Sequence, residues 1–219
     1  GPTVTDPPAA TPSILSIYES TINPHVTVPA GLATDGLRLY WANQVDGTTG
    51  GSCVQGEVNP QAPPVLAEGS DPQPFPATVL SNATSASYGM AKTSNMVFFA
   101  AQSGTVYGVQ ATGGDTTPFV SSLGQPRGLA WDGDSTVFVA DETGNAVYSF
   151  PTGRVMSNVP LTKTVDFQGA YGLAVMSMTD KAFQLRASSP RRFATGRPFL
   201  GAALAMIVLA LASLPMASS

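Results

Sequence analysis

Side chains suited to covalent or metal chemistry are scarce in this sequence. His25 is the only histidine and Cys53 the only cysteine, so a Ser-His-Asp or Cys-His mechanism could run only through His25, and thiolates cannot build a zinc site. His25 lies between two prolines in INPHVTVP, which indicates an ordinary loop or strand-edge residue. The chain has no P-loop, GxSxG, HExxH or dinucleotide-binding fingerprint. The sequence therefore points to no catalytic residue and to no organic cofactor.

Aspartates beside glycine are the next polar feature. Asp35 precedes Gly36, and Asp132 precedes Gly133. Tight hairpin turns favour such pairs, because both residue types tolerate left-handed backbone and aspartate bonds to its own backbone. These aspartates are expected to shape turns between short strands.

The strands that such turns would connect are clearest at 128–150, GLAWDGDSTVFVADETGNAVYSF. Apolar residues alternate with small or polar ones at 128–131, 136–140 and 145–150, and polar turns separate the three runs. A second strand of the same kind is predicted at 37–42 and at 96–100. Third strands are predicted at 52–58 and 105–109, and fourth strands at 118–120 and 159–161.

The pattern repeats along the chain. Units open with Gly-[Leu/Met]-Ala at Gly31, Gly89, Gly128 and Gly172, at spacings of 58, 39 and 44 residues, and the long first spacing holds a loop-like insertion at 68–77. About 40–45 residues with four short strands is typical of a β-propeller blade. A β-sandwich is the alternative, but a sandwich does not require the Gly-[Leu/Met]-Ala motif to recur at the start of each unit. Aromatic residues recur in the second strands and are expected to pack between units, namely Tyr40, Trp41, Phe98, Phe99 and Phe138.

GLATDGLRLYWAN and the stretch 128–150 resemble NHL and YWTD-type propeller repeats, which have a glycine-led inner strand and a second strand like VYWAD. The resemblance covers about 25–185 and implies an all-β fold of propeller-like repeats, each a four-stranded antiparallel sheet, with three complete units and a partial one. Ala101 departs from the aspartate that the family often has. A closed ring has more blades, so either blades precede Gly1, which we favour, or the propeller is open.

Lactonase-type relatives of this fold bind a divalent cation near the inner strands through carboxylates and amides, the ligands that hard cations prefer. The resemblance therefore implies Asp35, Asn43, Asp132 and Asp141 as candidate ligands, with calcium as the candidate cation. Their spacing forms no known ligand string, and turn formation is the competing explanation. A cation-dependent hydrolase similar to lactonases is one alternative function.

Charge is unevenly distributed. All fourteen acidic residues lie at or before Asp180, and four of the ten basic residues are arginines between 186 and 197. An acidic domain repels phosphate backbones, so nucleic acid is not expected as a partner.

The C-terminal end predicts a membrane anchor. Residues 199–216 are almost entirely apolar and predict a hydrophobic helix. Residues 187–198 would form a spacer whose Ala187-Ser188-Ser189 suits glycolipid attachment at Ala187 or Ser188. A retained helix is the alternative, with the domain tail-anchored and facing the cytosol; a twin-arginine export signal is a third interpretation, although such signals belong at an N-terminus.

The remaining domain, 13–186, follows a linker at 1–12 that is rich in proline, threonine and alanine. Asn82-Ala83-Thr84 is an N-glycosylation sequon and favours a cell-surface or lumenal location. We therefore expect a membrane-anchored surface propeller that acts as a non-enzymatic binding or scaffolding module for a protein or glycan. A structural subunit of a larger membrane assembly is a further alternative, because such folds serve many functions.

Overall fold

The computed structural model describes residues 16–44, 52–59, 75–83, 86–153 and 155–177; for 176–177 and for 206–212 it describes the backbone alone. The described residues form strands and connecting turns, with no helix among them. The predicted linker and spacer, with Ala187 and Ser188, lie outside the described residues.

Twelve strands form three four-stranded antiparallel sheets. Sheet 1 consists, in spatial order, of β1 (Pro29–Thr34), β2 (Arg38–Asn43), β3 (Cys53–Glu57) and β4 (Ala77–Ser81). Sheet 2 consists of β5 (Ser87–Lys92), β6 (Met96–Ala101), β7 (Val106–Gln110) and β8 (Thr117–Val120). Sheet 3 consists of β9 (Pro126–Trp131), β10 (Thr136–Asp141), β11 (Ala146–Pro151) and β12 (Thr162–Asp166).

A fourth sheet is represented by two antiparallel strands, β13 (Ala170–Ser177) and β14 (Met206–Ala212). The predicted hydrophobic helix is therefore wrong for 206–212, and the rest of 199–216 lies outside the described residues. The apolar run MIVLALA suits a strand as well as a helix, and its backbone pairs with β13, which would otherwise be unpaired on that side. Within the described part of the chain, no helix is long and apolar enough to cross a bilayer.

The sheets pack through their first strands: β1 contacts β5, β5 contacts β9, and β9 contacts β13. Glycine makes this possible, because its missing Cβ leaves room for the backbone of the next sheet. A Cβ at Gly31 would lie 2.0 Å from the carbonyl oxygen of Tyr88, and one at Gly89 would lie 1.9 Å from that of Arg127. Gly128 stands in the same relation to β13. The glycine of each repeat therefore sets the distance between neighbouring sheets.

Apolar side chains fill the space between the sheets. One cluster lies between sheets 1 and 2, the largest between sheets 2 and 3, and a smaller one between sheet 3 and β13. In the largest, the Phe98 ring meets Phe119 and Phe150 edge-on, with centroids 4.8 and 5.5 Å away. The prediction that the second-strand aromatics pack between units is confirmed for four of them, Tyr40, Phe98, Phe99 and Phe138. Trp41 is also buried, but it packs on the outer face of sheet 1 against Val26 and Tyr18.

Fourth strands were harder to locate than the others. The predicted strand at 118–120 is confirmed as β8, whereas 159–161 is not a strand. The apolar residue Val159, which suggested a strand, is buried in a loop. Its N–H donates to the carbonyl of Phe119 at the free edge of β8 (2.8 Å). The true fourth strand, β12, is exposed along its whole length. It therefore carries no apolar pattern.

Candidate ligand-binding site

Asp35 and Asp132 shape turns. Each uses its Oδ1 atom to accept hydrogen bonds from two backbone N–H groups of its own turn, at 2.8 and 3.0 Å in both cases. Thr93 takes the same place in sheet 2, where its Oγ1 accepts from a turn N–H at 3.2 Å. A threonine can replace aspartate here because an uncharged acceptor also closes the turn.

Asn43 and Asp141 lie at the opposite ends of the second strands, where each holds the loop leading into its own sheet. Asn43 accepts from the N–H of Thr27 (3.1 Å) and donates to the carbonyl of His25 (3.1 Å). Asp141 is buried, and its carboxylate accepts three hydrogen bonds from N–H groups at residues 124, 125 and 144, at 2.8, 2.8 and 3.1 Å.

The four candidate metal ligands are therefore not brought together. Asp35 lies before β2 and Asn43 is its last residue, and the six residues of β2 span about 16 Å at the usual rise. Asp132 and Asp141 have the same places relative to β10. Among the described residues, no three histidine, cysteine, aspartate or glutamate side chains converge as a metal site would require. The calcium site and the hydrolase stay predictions to which this geometry adds no support.

A different polar cluster centres on Arg127 of β9. Its guanidinium lies over the ring of Tyr88 from β5, 4.0 Å from the centroid, and 5.7 Å from the ring of Tyr171 on β13. Its Nε donates to a carboxylate oxygen of Glu142 (2.6 Å), and Nη2 donates to the side-chain oxygen of Gln125 (3.1 Å). Three neighbouring sheets thus contribute to one site.

Sequence reasoning missed this cluster, although the repeat contains a signal for it. Tyr88, Arg127 and Tyr171 each directly precede the glycine that opens a unit, and Ala30 has this place in the first unit. Because the first strands lie side by side, residues at this position become neighbours. A column of two tyrosines and an arginine in an aligned repeat could have predicted the site.

The electrostatics keep Arg127 charged. Burial alone would lower the pKa of its guanidinium, but the hydrogen bond to Glu142 and the neighbouring Tyr88 raise that pKa overall. Its Nη1 atom is buried and has no hydrogen-bond partner within the described part of the chain. A buried donor without a partner costs about 1–3 kcal/mol, so an acceptor from water or from a ligand is expected there. Tyr171 is 42% exposed, which leaves the cluster open on that side.

Asp141 supports this cluster indirectly. Its carboxylate fixes the N–H of Gln125, and the carbonyl of Gln125 in turn accepts from the N–H of Glu142 (3.0 Å). Both residues that bond to Arg127 are thereby held by one carboxylate. Asp141 is a positioning residue for the site.

Asn82 follows β4 and is exposed, as a glycosylated asparagine must be. The threonine of its sequon lies outside the described residues, as do the lipid-attachment candidates.

The stability of the domain should depend on the ionisation of Tyr40. Its hydroxyl donates to Asp35 Oδ2 (2.9 Å), and burial together with this bond raises the pKa of Tyr40 from 10.0 to about 12. A pKa raised by folding gives stability that is complete below pH 10 and is lost as the pH rises to about 12. Between pH 10 and about pH 12 the free energy of unfolding, measured with urea, should fall less for Tyr40→Phe than for the wild type. Equal falls would contradict the raised pKa of Tyr40.

Comparisons with known proteins bear on the fold alone. No family model and no curated protein matches this sequence. The crystal structure of the computationally designed Ika4 protein is similar over 74% of this chain and 87% of its own, with a TM-score of 0.52 and 10% identity. The designed Ika8 protein matches over 67% of this chain and 39% of its own, with a TM-score of 0.47 and 12% identity. The likeness to Ika4 shows a shared backbone arrangement and carries nothing about function.

Proposed function

We propose that the chain is a non-enzymatic binding module with its sheets arranged as propeller blades, and that the Arg127 cluster receives a protein or glycan partner. Four-stranded sheets that meet through their first strands support the propeller arrangement. One observation carries the binding role: Arg127 lies between two tyrosines, with a guanidinium nitrogen that is buried and unpaired among the described residues. Tyrosine and arginine dominate the energetic centres of binding surfaces.

The charge balance favours a glycan over an acidic partner. Glu142 already neutralises Arg127, so a second carboxylate would meet repulsion from Glu142. A sugar brings hydroxyl groups without net charge. One hydroxyl could accept from Arg127 Nη1 while the ring packs on the exposed part of Tyr171, because aromatic side chains combine a large apolar face with a polar edge.

An array of neutral and acidic glycans, probed with the full chain, tests this function. We expect retention of neutral glycans, and a loss of affinity of at least about tenfold for Tyr171→Ala and for Arg127→Met. Tyr171 is part-exposed, so its removal should leave the fold intact. Met156→Ala is the control, because Met156 is half-exposed and lines a separate groove.

Two results would contradict the proposal. One is an array that retains no glycan, and the other is equal loss of binding in Tyr171→Ala and Met156→Ala. Arg127→Lys adds a finer test, because lysine keeps the charge but cannot hold Glu142 and Gln125 in the fixed geometry of a guanidinium.

Location at a cell surface or lumenal membrane face is part of the proposal. The exposed position of Asn82 is compatible with glycosylation there.

A further inference from the structure

Sheet 1 has an apolar groove on the side that faces away from sheet 2. The groove has a volume of about 450 Å³, and its walls include Tyr18, Val26, Leu32, Leu39 and Trp41. Tyr18 covers part of the sheet face by packing on the Trp41 ring, with centroids 5.0 Å apart. Leu32 is left uncovered.

The repeat shows what normally covers this position. Met90 and Leu129 also follow the opening glycine of a unit, and they are 6% and 7% exposed, whereas Leu32 is 67% exposed. Met90 packs in the cluster it shares with sheet 1, and Leu129 in the cluster it shares with sheet 2. Each thus packs against the preceding sheet. For Leu32 the described residues provide no preceding sheet.

The other end of the row has the complementary surface. Each repeat glycine faces the first strand that follows it, and Gly172 on β13 has the same place in its unit as Gly128 in the unit before. Beside it, Tyr171 is 42% exposed. Because all the sheets pack in the same direction, the Leu32 side of one row fits the Gly172 side of another.

We infer that the Leu32 face binds a second copy of this chain head to tail, with β1 of one copy lying along β13 of the other. The contact would repeat the one already made between β9 and β13 within a single chain. Such an interface is heterologous, so it closes into a ring where the rotation allows and otherwise extends the row. The second copy and a glycan would both contact the exposed side of Tyr171, so glycan binding and association should compete.

Sedimentation velocity of the full chain at increasing concentration tests it. We expect association, with the dissociation constant raised at least about tenfold by Leu32→Asp, because a carboxylate would be buried in an apolar contact. Leu37→Asp is the matched control, since Leu37 is 80% exposed but lies outside the groove. A chain that stays monomeric would overturn the inference, as would equal effects of the two variants.

A thiol-labelling experiment shows whether the groove is filled by a second copy or by another segment of the same chain. Cys53 is the only cysteine and is buried, and burial raises the pKa of its thiol, so it should react slowly. A cysteine introduced by Leu32→Cys should react with maleimide quickly in dilute protein, and at least about tenfold more slowly once the chain associates. Protection that is already complete in dilute monomer would mean that the same chain covers the groove, which would overturn the inference.

Discussion

Replacement of Gly89 by alanine is expected to lower the free energy of unfolding by about 3 kcal/mol or more, and it could prevent folding. The new Cβ would lie 1.9 Å from the carbonyl oxygen of Arg127 and 2.9 Å from the Cα of Gly128. Both are backbone atoms, so no side chain can rotate away. Relief requires β5 and β9 to separate, which opens the largest apolar cluster of the domain. Urea unfolding followed by tryptophan fluorescence measures the effect.

Gly153→Ala is the matched control. No atom lies within 4 Å of a Cβ built at Gly153, and its backbone is outside the left-handed region. Alanine there should change stability by less than about 0.5 kcal/mol, or stabilise slightly by restricting the unfolded chain. Similar losses in both variants would show that close packing of the first strands is not the reason for the glycine at 89.

The same glycine explains why much of the fold could be predicted. Gly-[Leu/Met]-Ala lies in the first strand of every unit. In the first three units its glycine contacts the first strand of the next unit, and in the second and third units the apolar residue after it packs on the preceding sheet. Second and third strands follow at short distances as runs rich in β-branched and aromatic residues between polar turns, so the local pattern was enough to locate them.

Strands that lack this local pattern could not be located. β12 is exposed throughout and has no apolar side to detect, while the buried Val159 nearby suggested a strand where there is a loop. At 206–212 an apolar run was interpreted as a helix, since composition alone does not separate a buried strand from a hydrophobic helix. In both cases backbone pairing with another strand, β11 for β12 and β13 for β14, decides the structure.

The candidate site was predictable only in part. Turn aspartates were recognised from their neighbours in sequence, and the alternative turn explanation for Asp35 and Asp132 fits their hydrogen bonds. Arg127, in contrast, meets residues from three sheets, and its position follows from packing that no single unit contains. Sequence spacing cannot show such contacts unless the units are first aligned.

Replacement of Asp141 by alanine is expected to lower the free energy of unfolding by about 3 kcal/mol. Its buried carboxylate accepts three backbone hydrogen bonds, and hydrogen bonds to a charged group contribute about 1.5–3 kcal/mol each, with losses that are not additive. Asp141→Asn should lose less, because it keeps one acceptor oxygen. Asp132→Ala should cost only about 1 kcal/mol, since its turn lies at a more exposed edge.

The effect of calcium on stability distinguishes a structural role of Asp141 from a role as a calcium ligand. If the Asp141 oxygens serve the backbone, thermal unfolding of the wild type should occur at the same temperature with calcium and with a chelator, and Asp141→Ala should shift that temperature equally in both. Asp141→Ala should also weaken binding at the Arg127 cluster, because the loops that hold Gln125 and Glu142 lose their anchor. A calcium-dependent rise in the unfolding temperature that disappears in Asp141→Ala would instead support a cation at this carboxylate, because a ligand that binds only the folded chain stabilises it.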